Sequence, residues 1–152
     1  MNTIDNATQK GNGEKGNGKK EAGKIPVQMM LSALWAALMF LYVYADLLSF
    51  YKPGHLDEML AGRMGPLPVT QSSLFAASAL MVIPALMLFL SLALKPGASR
   101  WANVILGALY TAVNIANLVG VSWAYYILFG VVEIALTLLI IGYAWRWRTT
   151  QS

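Results

Sequence analysis

Residues 123–145 read WAYYILFGVVEIALTLLIIGYAW, an apolar run closed by tryptophan at both ends and interrupted near its middle by one acid, Glu133. At 1.5 Å per helical residue such a run covers about 34 Å, enough for the roughly 30 Å of hydrocarbon in a bilayer. Indole rings prefer the headgroup region, so Trp123 and Trp145 mark the two interfaces. Three similar runs precede it: Val27 to Phe50, Leu74 to Leu94 and Trp101 to Val121. The expected fold is therefore all-α, a four-transmembrane-helix antiparallel bundle over residues 25–152. The first run also carries Val43-Tyr44-Ala45, which has the small-residue look of a signal-cleavage site. Its apolar stretch is longer than a usual signal core, and cleavage would leave three helices, so it is read as a span.

Composition supports a lipid environment. The chain is 57% hydrophobic and only 12% charged, with a mean hydropathy of +0.55, more apolar surface than one soluble core of 152 residues hides. Much of the charge lies in residues 1–24, which contain Lys10, Lys15, Lys19, Lys20 and Lys24 with Asp5, Glu14 and Glu21. That segment is polar and repetitive, Lys10-Gly-Asn-Gly recurring from Lys15, and lacks the apolar side chains that would offset ordering entropy, so it is read as a disordered tail. Its glycines follow no strand and do not make a phosphate-binding loop. The formal charge of +4 is no nucleic-acid signal, because the lysines have no interleaved aromatics.

The basic residues set the expected orientation. The tail lysines, Lys95, Arg100, Arg146 and Arg148 share one side of the membrane, against Lys52 and Arg63 on the other. The positive-inside rule then places both termini in the cytoplasm of a cell whose inner membrane holds the protein. Lys95-Pro-Gly-Ala-Ser99 and the residues around Gly120 to Ser122 form short connections, which make sequential helices antiparallel neighbours. In the longer first connection Leu56, Met59, Leu60 and Met64 recur at helical spacing between Pro53-Gly54 and Gly65-Pro66, predicting a short interfacial helix.

Few residues here carry chemistry. Without cysteine there is no disulfide or thiolate site, and His55, the one histidine, makes no metal site alone. No nucleophile–base pair, metal-ligand cluster or nucleotide fingerprint appears, so no catalytic residue, metal or cofactor is assigned, and an enzyme is the weakest of the functional readings. What stands out is polar spacing within apolar helices. Asn103, Gly107, Tyr110, Asn114 and Asn117 share one face of the third helix; Tyr126, Gly130, Glu133 and Thr137 share one of the fourth. Polar groups so aligned should face protein or water.

Glu133, near the middle of its span, is the residue to single out, since a charge there costs roughly 2.5–3.5 kcal/mol on insertion scales. It is expected to face inward as a neutral carboxyl, and the structural alternative to a functional role is a hydrogen bond to an asparagine such as Asn114. Asp46, a turn after Tyr42 and in line with Trp35 and Met39, should point the same way, with Arg63 on the same side as a candidate partner and interfacial water as the alternative. Tyr42, Asp46, Asn114, Asn117, Tyr126 and Glu133 all lie in the outer half or midplane and form one candidate polar pocket. Pro84, inside the second helix, removes a backbone donor and predicts a kink. On the third helix Ala108, Ala112, Ala116 and Gly120 make an i, i+4 series of small residues, the packing face expected to meet another helix of this chain or of a second copy.

Tyr44-Ala45-Asp46-Leu47-Leu48, Pro53-Gly54, Pro84, Arg100 with Asn103, and Tyr125-Tyr126 before Glu133 together resemble a family of uncharacterised small bacterial four-span membrane proteins, over residues 29–147. The resemblance implies a four-helix membrane fold and no activity. In size and span number the chain is also similar to DoxX-like membrane proteins, an analogy of fold only. Beside the lipid bilayer, the partners to test are a proton or small polar solute at the pocket and a second copy of the chain. The competing class is a structural or interaction protein assembled through the small-residue face.

Overall fold

The computed structural model describes residues 25–147 except Pro66. The tail over residues 1–24 and the C-terminal Arg148 lie outside these described residues. Four long helices dominate: α1 (Val27–Ser49), α3 (Gln71–Ala93), α4 (Pro96–Leu118) and α5 (Ala124–Arg146), each long and apolar enough to cross a membrane. The chain is thus a multi-pass membrane protein by the length and composition of its helices. Between α1 and α3 lie α2 (His55–Leu60), at the predicted short helix, and a two-stranded hairpin, β1 (Arg63–Met64) with β2 (Leu67–Pro68). The hairpin is not anticipated by hydropathy. Its turns rest on Gly62 and Gly65, both in the left-handed backbone region that glycine enters without a Cβ penalty.

Helix boundaries follow local chemistry more closely than hydropathy. α3 begins at Gln71, ahead of the expected Leu74, because Thr70 and Ser73 form a reciprocal capping box: each side-chain oxygen accepts from the other's backbone N–H, at 3.1 and 2.9 Å. α4 begins at Pro96, so most of the expected Lys95–Ser99 connection is helical. Proline at the first helical position has the φ the helix requires and would have no intrahelical N–H bond to lose there. α4 ends at Leu118, short of Val121, and Gly120 turns the chain with φ +80°.

α5 packs closely along α4, and α1 lies against both α3 and α5. The first turn of α1 reaches the end of α3, where Gln28 Nε2 donates to the Leu94 carbonyl at 3.2 Å. The start of α4 reaches the end of α5 through Arg100, whose guanidinium donates to the Trp145 carbonyl at 3.3 Å. Trp35, fully buried at the centre of the core, stands edge-on to Tyr110 with ring centroids 5.7 Å apart.

The α4–α5 seam uses glycines on the polar stripes. A Cβ on Gly107 would stand 2.9 Å from Ile141 Cγ1, and one on Gly130 would stand 2.5 Å from Leu118 Cδ2. Ala108, Ala112, Ala116 and Gly120, by contrast, are exposed, so within one chain this face meets no helix. In lipid Asn103, Asn114, Tyr110 and Thr111 cannot be satisfied outside; they claim the interior and rotate the alanines outward.

Candidate functional site

The interior polar groups divide into two layers. In the layer near the start of α4, Asn103 Oδ1 accepts from Trp35 Nε1 at 2.7 Å and from Ser91 Oγ at 3.2 Å, while its Nδ2 donates to the Ser99 carbonyl at 2.8 Å. Ser99 Oγ donates in turn to the Ser91 carbonyl at 3.0 Å, and Ser32 Oγ to the Leu88 carbonyl at 2.7 Å. Asn103, Ser91 and Ser99 are fully buried and each polar side-chain atom has a partner. This layer ties α1, α3 and α4 together and leaves no group to bind anything else.

A bridge region follows. Pro84 lacks the N–H that would bond the Leu80 carbonyl one turn back, and Tyr110 supplies the missing donor from α4, its hydroxyl 2.6 Å from that oxygen. Thr111 Oγ1 donates to Thr137 Oγ1 at 2.9 Å, joining α4 to α5 one turn from Glu133.

The second layer is a cavity of about 50 Å³. Tyr42 and Asp46 from α1, Asn114 and Asn117 from α4, and Tyr126 and Glu133 from α5 all line it. Leu80 and Tyr110 also line it, so the proline-freed turn forms part of its wall. Helical steps of three and four residues place each pair on one face, and the three faces converge because each carries groups lipid cannot solvate. Tyr42, Asn114 and Glu133 are buried, whereas Asp46 and Asn117 are exposed and mark the open side.

Two expected contacts are different in the structure. Asn114 is not the partner of Glu133: its Oδ1 accepts from the Tyr42 hydroxyl at 2.8 Å, because α1 brings a phenol closer to that amide than α5 brings its carboxyl. Among the described residues the Glu133 carboxyl has no hydrogen-bond partner; Asp46 acts on it electrostatically from across the cavity. Asp46 in turn has His55 of α2 as its nearby basic group, while Arg63 stands exposed on the hairpin. The fold of the first connection turns α2 back over the end of α1, where His55 Nε2 comes within 3.3 Å of Ser49 Oγ.

One atom remains unaccounted for. Asn114 Nδ2 is buried without a partner, the only such side-chain atom among the described residues, on a residue 1% exposed. An amide hydrogen left unbonded in that environment costs about 1–3 kcal/mol. Asn114 lines the cavity, so a molecule held there comes next to a residue with an unused donor.

Asn117 and Tyr126 also line a second, wider cavity of about 420 Å³ on the side of α2 and the hairpin. There Lys52 Nζ lies 5.5 Å from the ring centre of Trp123, and His55 also lines the chamber. Sequence spacing misses this outer chamber, since much of its wall, Lys52, His55, Gly65, Val119, Val121 and Trp123, comes from the first connection and the α4–α5 turn, outside the periodic spans.

A family model described as a family of unknown function (DUF6326) matches residues 23–152. No curated protein and no solved structure gives a match.

Proposed function

The chain belongs to the DUF6326 family, and from its own residues we propose that it is a membrane protein that binds a proton or a small polar solute at the Glu133 cavity. The observation carrying this reading is the unpartnered, buried Nδ2 of Asn114 on a residue that shares a cavity with the unbonded Glu133 carboxyl, the cavity being lined from all four long helices. A polar cluster serving only to fix helix register would satisfy itself, as the Asn103 layer does. Under the positive-inside orientation both termini are cytoplasmic and the cavity opens outward, through the chamber lined by Lys52 and His55. Glu133 holds the proton or the solute's donor, Asn114 positions it, and Tyr42 and Tyr126 close the aromatic walls.

Reaction with a hydrophobic carbodiimide tests this. The reagent modifies protonated carboxyls and is read by peptide mass spectrometry on the detergent-solubilised protein. Glu133 is expected to be labelled in the folded protein, and labelling should fall as rising pH ionises its carboxyl. Glu133→Gln should remove that label without changing helical content. Labelling of Glu133 only after denaturation, or labelling independent of pH, overturns the reading.

A second reading rests on a different observation, the exposed Ala108, Ala112, Ala116 and Gly120 series, which suits close helix contact with a second copy. Four spans are few for a transport path, so solute transfer across the bilayer goes with a homo-oligomer. Loss of self-association in Ala112→Leu supports this second reading; unchanged self-association, or a wild-type monomer in mild detergent, removes it.

A further inference from the structure

We propose that the corner where α4 begins and α5 ends is a binding site for the phosphate of an anionic phospholipid, held by the Arg100 guanidinium. Arg100 is half-buried between two exposed indoles, 5.9 Å from the ring centre of Trp101 and 6.0 Å from that of Trp145. The two rings stand edge-on to each other with centroids 6.3 Å apart. The guanidinium also donates through Nη2 to the Trp145 carbonyl, which belongs to the last turn of α5 and has no amide ahead of it in the helix. One hydrogen bond and two aromatic faces therefore fix the group, while a planar fork with five N–H donors keeps others for an oxygen-rich partner.

Charge and depth name the partner. Lys95, Arg100 and Arg146 lie at this end of the bundle. The acids among the described residues lie elsewhere: Asp46 near the far end of α1, Asp57 and Glu58 in α2, and Glu133 near the middle of α5. Among the described residues, then, no carboxylate competes for the guanidinium. Indole rings sit at headgroup depth, so Trp101 and Trp145 hold Arg100 level with lipid phosphates. Each basic side chain there attracts an anionic headgroup, and a phosphate accepts two parallel bonds from one guanidinium. Ile105, a turn beyond Trp101, and Leu138, two turns before Trp145, are exposed and give the acyl chains an apolar surface. A free phosphate ion uses the charge but not that surface.

The test is native mass spectrometry of the full-length protein released from mixed micelles, counting retained phosphatidylglycerol or phosphatidylcholine of the same acyl chains against lipid concentration. The wild type should retain phosphatidylglycerol with an apparent Kd at least about tenfold below that of phosphatidylcholine, because the basic side chains attract the net charge and repel choline. Arg100→Gln should bring the two lipids within about twofold of each other, and Arg100→Lys, which keeps the charge and loses the fork, should fall between. Lys52→Gln, an exposed change at the opposite end of the bundle, should keep the full preference. Equal retention of both lipids by the wild type, a preference that survives Arg100→Gln, or one lost equally in Lys52→Gln overturns the site. Displacement of the lipid by inorganic phosphate also overturns it, marking a site for the free ion. Circular dichroism checks that each variant is folded. Should Arg100→Gln lose helical content, Arg100→Lys decides: a preference as large as that of the wild type overturns the site, and a reduced one supports it.

Discussion

Tyr110 replaces the backbone donor that Pro84 lacks: its hydroxyl, on α4, bonds the Leu80 carbonyl of α3, the oxygen that an N–H at position 84 would serve. A proline inside an apolar helix thus becomes a second point of attachment between α3 and α4, beside the Ser91–Asn103 and Ser99–Ser91 bonds. Tyr110→Phe should lower stability by about 1–2 kcal/mol, read from unfolding in mixed micelles. Pro84→Ala restores an N–H to the same carbonyl, so the double variant Tyr110→Phe/Pro84→Ala should cost less than the two changes added. Simple additivity would show that the hydroxyl and the proline are uncoupled.

Asn103 and Asn117 lie on one face of α4 and should differ sharply. Asn103 is fully buried and bonds Trp35, Ser91 and Ser99, so Asn103→Leu strands donors on two other helices and should cost about 2 kcal/mol or more. Asn117 is exposed, and Asn117→Leu should change stability by less than about 0.5 kcal/mol. The comparison uses the same unfolding assay, and equal losses would contradict the two-layer division of the interior.

Close approach of α4 to α5 predicts a contrast between two small residues. Gly107→Leu drives a side chain into Ile141 and Ile140 and should cost about 1–3 kcal/mol in the monomer. Ala112→Leu projects from an exposed position and should leave monomer stability within about 0.5 kcal/mol. Thermal melts at a detergent-to-protein ratio high enough to dissociate oligomers check both.

The Tyr42–Asn114 pair offers a test of function against stability. Replacing one partner leaves the other buried and unbonded, so Tyr42→Phe and Asn114→Leu should each destabilise by about 1–2 kcal/mol. Replacing both removes the orphaned Nδ2 as well, so the double variant should melt at or above the wild-type temperature while losing the donor proposed to position a solute. A double variant less stable than either single one would mark the pair as structural.

Much of this organisation is legible in the sequence, for reasons that also explain what is not. The four helices follow from apolar runs of bilayer length, and the shared cavity of Tyr42, Asp46, Asn114, Asn117, Tyr126 and Glu133 follows from steps of three and four residues in a solvent that rejects polar side chains. Which side chain meets which depends on the rotation and axial offset of neighbouring helices, and neither leaves a periodic trace. Hence Asn114 with Tyr42, and Tyr110 with the Leu80 carbonyl, emerge only from packing. The alanine series on α4 shows the same limit: small residues mark a face able to approach another, while the polar face of the same helix decides which side turns inward.

The smallness of the inner cavity limits how tightly anything can be held there. Very small ligands gain at most about 1.5 kcal/mol for each non-hydrogen atom, so the roughly four atoms that about 50 Å³ admits bring about 6 kcal/mol and a Kd no tighter than tens of micromolar. Occupancy would then follow the abundance of the solute over the micromolar to millimolar range and reverse quickly when it fell. Under the proposed reading, a cavity of this size suits a plentiful solute and not a scarce one.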